Sequence, residues 1–186
     1  MSIPLVTNFN RTDSIFENCT ALKNVNITWG NVTNLATSFF NNCPALELYT
    51  LVMPKLNSNV WGHCFKGVTN LTTFDGYYGA AGNQSIYNNS FENTSISIII
   101  LRRTAGIISL GNINAFNGTP FASNGVGGTL YVPSALISTY QSATNWATIL
   151  GYTNNSIKSI ESTHTDPDAP IDLTLYYADG TEIPTT

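Results

Sequence analysis

The chain has 186 residues, enough for one compact domain with an appendage, and only 10 % of them are charged. Apolar residues still reach 42 %, and Asn, Ser and Thr together number 63, a profile that excludes both a disordered chain and a coiled coil. The net charge of −4 argues against binding nucleic acid through its phosphates, and the longest apolar run, residues 98–101, is too short to cross a membrane.

At the N-terminus, residues 1–13 hold neither a basic stretch nor an apolar run, so they do not read as a secretory signal. Ile3, Leu5, Val6 and Phe9 suit an end cap or an attachment segment. A repeat then begins. Phe16, Phe40, Phe65, Phe91 and Phe116 follow one another at intervals of 24, 25, 26 and 25 residues. Three positions after each come Cys19, Cys43, Val68, Thr94 and Thr119. Six after come Leu22, Leu46 and Leu71, and nine after come Val25, Tyr49 and Phe74. Five before come Leu35, Val60 and Ile86.

A period near 25 suits one short strand plus one turn-like segment per unit. The pattern predicts strands at 22–27, 46–53, 71–75, 96–101 and 129–132, with a last one at 157–160. The fold class expected is a β-rich solenoid in which each coil buries the open face of the one before. After the last repeat, Pro133 suits a first helical turn, and Leu136, Ile137, Tyr140 and Trp146 follow before Gly151 as a stop signal. Such a helix would close the end of the stack.

The segment 162–186 differs in kind. Six of the eleven acids lie after position 160, and no Lys or Arg follows Lys158. The body 1–160 carries a net +2 and the remainder a net −6. Residues 162–169 read as a linker, and 170–183 as a β-hairpin with a turn at Ala178-Asp179-Gly180. An isolated hairpin is marginal in water, so Leu173, Leu175, Tyr176 and Tyr177 are expected to dock on a partner by strand addition.

Residues 16–25 (FENCTALKNV) and 40–49 (FNNCPALELY) resemble the BspA-type leucine-rich repeat, as do 65–74 with Val68 in place of Cys. The ending, from Ala115-Phe116-Asn117-Gly118 through Leu130-Tyr131-Val132-Pro133 to Ile157-Lys158-Ser159-Ile160, resembles the terminal unit of such arrays. The resemblance spans about residues 14–161. It implies leucine-rich-repeat coils and a role in bacterial surface adhesion, and similar arrays occur in phage virion proteins.

Catalytic constellations do not emerge. Five scattered body acids, Asp13, Glu17, Glu47, Asp75 and Glu92, give little material for a carboxylate pair. His63 lies beside lattice Phe65, where a structural role is expected, and His164 falls in the acidic linker. No metal or other cofactor is expected. Neighbouring strands about 4.8 Å apart bring Cys19 and Cys43 within reach of a disulfide. They read as a ladder of packed thiols, with a disulfide as the alternative.

Binding is expected on the outward strand face and in a Tyr/Gly/Asn segment. Strand alternation places Asn26, Thr50 and Asp75 outward on an almost uncharged strip. Tyr77, Tyr78, Asn83 and Tyr87 supply aromatic faces beside amides, a mixture that suits sugar rings. The expectation is a non-enzymatic extracellular binding or structural module. The length, the Met start and the absence of a secretion signal favour a virion decoration or fibre component. The alternative is a module of a bacterial surface adhesin. Expected partners are other virion or surface proteins through 162–186 or 1–13, a second copy of the chain, and a host-surface glycan or protein. Nucleic acid and membrane insertion are not expected.

Overall fold

A computed structural model describes residues 14–27, 29, 32–53, 56–76 and 83–160, together with the backbone of 175–176 and 182–183. The expected N-terminal cap at 1–13, the linker at 162–169, and Tyr77, Tyr78, Leu173 and Tyr177 lie outside the described residues, as do the side chains of Leu175 and Tyr176.

The five lattice phenylalanines are all buried and form a spine along the stack. Ring centroids are separated by 5.1 Å for Phe16–Phe40, 6.3 Å for Phe40–Phe65, 5.6 Å for Phe65–Phe91 and 5.8 Å for Phe91–Phe116. Burial drives this packing, and each aromatic pair adds about 0.5–1.5 kcal/mol beyond it.

Tight turns hold the spine in place. The residue two positions after each lattice phenylalanine is left-handed: Asn18, Asn42, Gly67, Asn93 and Gly118 have φ of 60°, 59°, 75°, 57° and 66°. Only Gly, and to a lesser extent Asn, adopts that conformation readily, which explains the restricted choice. In the first four its N–H donates to the next coil, from Asn18 to Asn41 O, Asn42 to Lys66 O, Gly67 to Glu92 O and Asn93 to Asn117 O, all at 2.8 Å. A second left-handed corner falls two positions before the phenylalanine, at Ser38, His63 and Asn89.

On the opposite side of each coil a parallel sheet forms. Its strands are β1 (Thr50–Met53), β2 (Thr73–Gly76), β4 (Ile98–Leu101), β6 (Thr129–Val132) and β7 (Ser156–Ser159), in that spatial order. Pairing aligns Leu51, Phe74, Ile99, Leu130 and Ile157 in one inward row. Within 22–27 only Asn26 makes a bridge. β1, β2 and β4 start later than expected, and at the starts of β2 and β4 one carbonyl takes two donors. Thr72 and Thr73 N–H both donate to Tyr49 O, and Ser97 and Ile98 N–H both donate to Thr72 O. Tyr49 is therefore not the inward partner of Phe74. Leu51 fills that place at 0 % exposure, and Tyr49 is 57 % exposed. The second coil spends two extra residues before its strand, which a fixed nine-residue offset misreads.

A smaller parallel sheet, absent from the strand predictions, pairs β3 (Ser85–Ile86) with β5 (Ser109–Leu110), and Val60 bridges to Ile86. Each of these strands is only two residues long, too short for an alternation signal.

The expected capping helix is two helices, α1 (Ile137–Ser142) and α2 (Trp146–Leu150). Extended Ala143 (ψ 139°) and left-handed Asn145 (φ 66°) separate them. The break has a use at the edge of β5. Ile108 N–H donates to Tyr140 Oη at 3.0 Å, Trp146 Nε1 donates to Ile108 O at 2.7 Å, and Asn145 Nδ2 donates to Leu110 O at 2.8 Å. Three side chains thus satisfy backbone groups that another coil would otherwise take. Burial pushes the Tyr140 hydroxyl up to about 12. Trp146, 6.0 Å from Phe116, also ends the aromatic spine. In the tail, β8 (Leu175–Tyr176) and β9 (Glu182–Ile183) pair antiparallel, as a hairpin requires.

Candidate functional site

On the outer face of the large sheet, Thr50, Thr73, Ile98, Thr129 and Ser156 form one row, and Val52, Asp75, Ile100, Tyr131 and Lys158 the next. Thr50 is exposed, as expected, and so is Asn26 in the first coil. Asp75 corrects the expectation. It lies on the outward parity but is 2 % exposed. Arg102, just past β4, binds its carboxylate in two places, with Nε to Oδ1 at 2.8 Å and Nη2 to Oδ2 at 2.8 Å. Burial pushes the Asp75 carboxyl up, and the Arg102 hydrogen bonds and charge oppose that. Beside the pair, Ile100, Tyr131 and Ile160 form an apolar cluster on the same face. The outer face is therefore polar at its β1 end and closed in the middle. Parity fixed the direction of Asp75, but its burial depends on which residues of neighbouring coils stand beside it.

The small sheet presents a different surface. Asn83 and Tyr87 are both exposed. The Tyr87 ring lies flat on Trp61, with centroids 5.0 Å apart and planes within 19°. Trp61 was missed as a site residue, although the sequence carries the signal: it stands four residues before Phe65, as Tyr87 does before Phe91. Asn88 and Asn112 are exposed nearby, and Asn112 Oδ1 accepts from Asn114 N–H at 2.9 Å. Thr50 and Asn26 on one wall and Tyr87 on the other do not converge on one site.

The titratable groups elsewhere are tied into the coils. Lys66 bridges to Glu92 at 2.8 Å across adjacent turns, and Asn89 Nδ2 donates to Glu92 Oε2 at 2.6 Å. Burial raises the Glu92 carboxyl, but the hydrogen bonds from Lys66 and Asn89 and the charges of Lys66 and His63 outweigh it and hold the group below its ordinary value. His63 occupies a left-handed corner equivalent to Ser38 and Asn89, a structural position. All three cysteines are free thiols. Cys43 Sγ donates to Phe16 O at 2.9 Å, and burial pushes the thiol up to about 11. Burial pushes Cys64 up further, so both are poor nucleophiles at neutral pH. Among the described residues no group of three or more His, Cys, Asp or Glu stands close enough to hold a metal. No described helix is long and apolar enough to cross a membrane.

No curated protein and no solved structure matches the chain. A family model, the BspA type leucine rich repeat region, matches in six copies over residues 7–121. The matched span contains all five lattice phenylalanines, three of the large-sheet strands and both strands of the small sheet. The match covers more than half of the chain, and the chain belongs to the BspA-type leucine-rich-repeat family.

Proposed function

We propose that this chain is a non-enzymatic surface module, a repeat solenoid that carries binding groups on a stiff rod and forms a decoration or fibre component of a virion. The family is consistent with a surface or adhesion-type module. The observation that carries the reading is how the exposed chemistry is distributed. The Asp75–Arg102 and Lys66–Glu92 pairs are committed to holding coils together. The small-sheet wall instead displays a stacked Trp61–Tyr87 pair and exposed amides. Aromatic faces and amides on a rigid support are contact groups for adhesion. The net −6 segment after position 160 and the 1–13 segment are the proposed attachments to other virion proteins.

An antibody raised against the chain tests this by immunogold labelling of virions and of bacterial cells from the source culture. Label on the virion surface is the expected result. Label confined to the cell wall overturns the virion assignment in favour of an adhesin, and label on neither surface overturns the surface role.

A further inference from the structure

Trp61 and Tyr87 stand at one station on successive coils, and the backbone pairing carries that station one coil further. Val60 pairs with Ile86 and Ile86 with Leu110, so the residue after Leu110 continues the column. That residue is Gly111, whose N–H donates to Ile86 O at 2.9 Å. The aromatic stack therefore stops at Tyr87, which is 39 % exposed. The nearest atoms an added Cβ at Gly111 would meet belong to Ile86 and Tyr87 of the preceding coil, and glycine leaves that place without a side chain. Beyond it the start of α2 closes the column, where Asn145 Nδ2 donates to Leu110 O at 2.8 Å.

The surroundings choose the occupant. Residues 59–62, 84–88 and 109–114 contain no charged side chain. Asn112 uses its oxygen on Asn114 N–H, which leaves its NH2 group to donate, and the Asn88 amide is exposed. An apolar ring face flanked by amide donors and acceptors matches a flat ring with hydroxyls on its rim. We infer that the space over Gly111 is a subsite for one neutral pyranose residue of a host-surface glycan. Its apolar face lies on Tyr87 and its hydroxyls meet Asn88 and Asn112. The inference rests on the reading of the chain as a surface-binding module, and it names the ligand class of that surface.

Gly111 makes the test clean. Its backbone lies outside the left-handed region, and an added Cβ would meet Ile86 O at 3.4 Å and Tyr87 Cδ1 at 3.8 Å, ordinary contacts. Gly111→Phe should therefore fold and fill the subsite with a ring of the protein's own. The experiment titrates wild type, Gly111→Phe, Tyr87→Ala and Tyr87→Phe with cellohexaose, maltohexaose, a mannan and the N-acetylglucosamine hexamer, by calorimetry and tryptophan fluorescence. A thermal melt of each variant is run alongside, and fluorescent protein is scored for adhesion to host cells. Wild type and Tyr87→Phe should bind at least one of the four, and Gly111→Phe and Tyr87→Ala should lose about tenfold or more with unchanged melting. Equal binding by Gly111→Phe overturns the subsite. Adhesion of wild type with no binding to any of the four overturns the glycan assignment and leaves the surface role standing. If adhesion is then lost in Gly111→Phe, the column takes a protein ligand instead. No adhesion and no sugar binding by wild type overturns both.

Discussion

The two long walls of this molecule obey the same coil spacing and differ in what repeats along them. On the turn wall the side chains repeat as strictly as the backbone. A phenylalanine is buried in every coil, and Asn or Gly follows two residues later in the left-handed region. On the outer face of the sheet wall only the backbone repeats. The outer row that runs through Asp75 changes from Val52 to Ile100, Tyr131 and Lys158. The difference shows where the fold leaves a choice. A stacked ring and a positive φ each admit very few residue types, whereas an outward strand position accepts any side chain its neighbours can accommodate.

Removing a ring from the turn wall should produce the largest effect. Phe91 packs between Phe65 and Phe116 and touches Phe74 at 5.4 Å. Phe91→Ala is expected to cost about 4 kcal/mol in urea unfolding, through lost burial and the cavity left behind. A loss under about 1 kcal/mol would mean that the spine does not carry the stack.

On the sheet wall the matching experiment is electrostatic. Asp75→Ala leaves the Arg102 guanidinium buried without its partner and should cost about 3 kcal/mol. The double variant Asp75→Leu/Arg102→Leu should recover most of that, because apolar groups can replace a buried pair of this kind. A double variant as unstable as the single one would show that position 75 requires the ionic pair.

A subtler comparison lies within the turn wall. Gly67 and Gly118 share the left-handed position, but an added Cβ at Gly67 makes ordinary contacts with Asn42 Cα at 3.6 Å and Asn42 N at 3.7 Å, whereas at Gly118 it would clash with Asn93 Oδ1. Gly67→Ala should cost about 1 kcal/mol for the conformation alone. Gly118→Ala should cost about 2 kcal/mol, because the Asn93 side chain must also move. Equal losses would show that Asn93 yields freely.

This contrast also explains how much was legible in the sequence. The phenylalanine lattice and the positions of β4, β6 and β7 follow from patterns that any coil must satisfy, so sequence reading located them to within a residue or two. The small sheet escaped because two-residue strands show no alternation, although Val60 and Ile86 stood in the repeat. Asp75 was misread because parity says which way a side chain points and nothing about Arg102, 27 residues away. Trp61 escaped because no adjacent residue in the chain marks it. Its partner, Tyr87, comes from the next coil, and only the common offset from the lattice phenylalanine connects them.

The smallest predicted effect tests whether surface charge contributes to the turn wall. Glu92 accepts from Asn89 and pairs with Lys66 on the preceding coil, and these contacts hold its carboxyl below the ordinary carboxylate value despite partial burial. The unfolded chain then binds the proton more readily than the folded one, so stability rises with pH across the interval between the two values. The Glu92 contribution should be complete above the unfolded carboxyl value of about 4.3. It should fade as pH falls through the lower folded value. Because Lys66 is 35 % exposed, solvent screening limits the gain to less than about 1 kcal/mol. Urea unfolding of wild type and Glu92→Gln at a series of pH values measures the difference directly. The gap should be largest near neutrality and close as the Glu92 carboxyl protonates in both the folded and the unfolded chain. A gap that stays constant into acid would assign Glu92 a packing role and leave the hydrogen-bonded turns and the ring stack as the only forces that repeat along this wall.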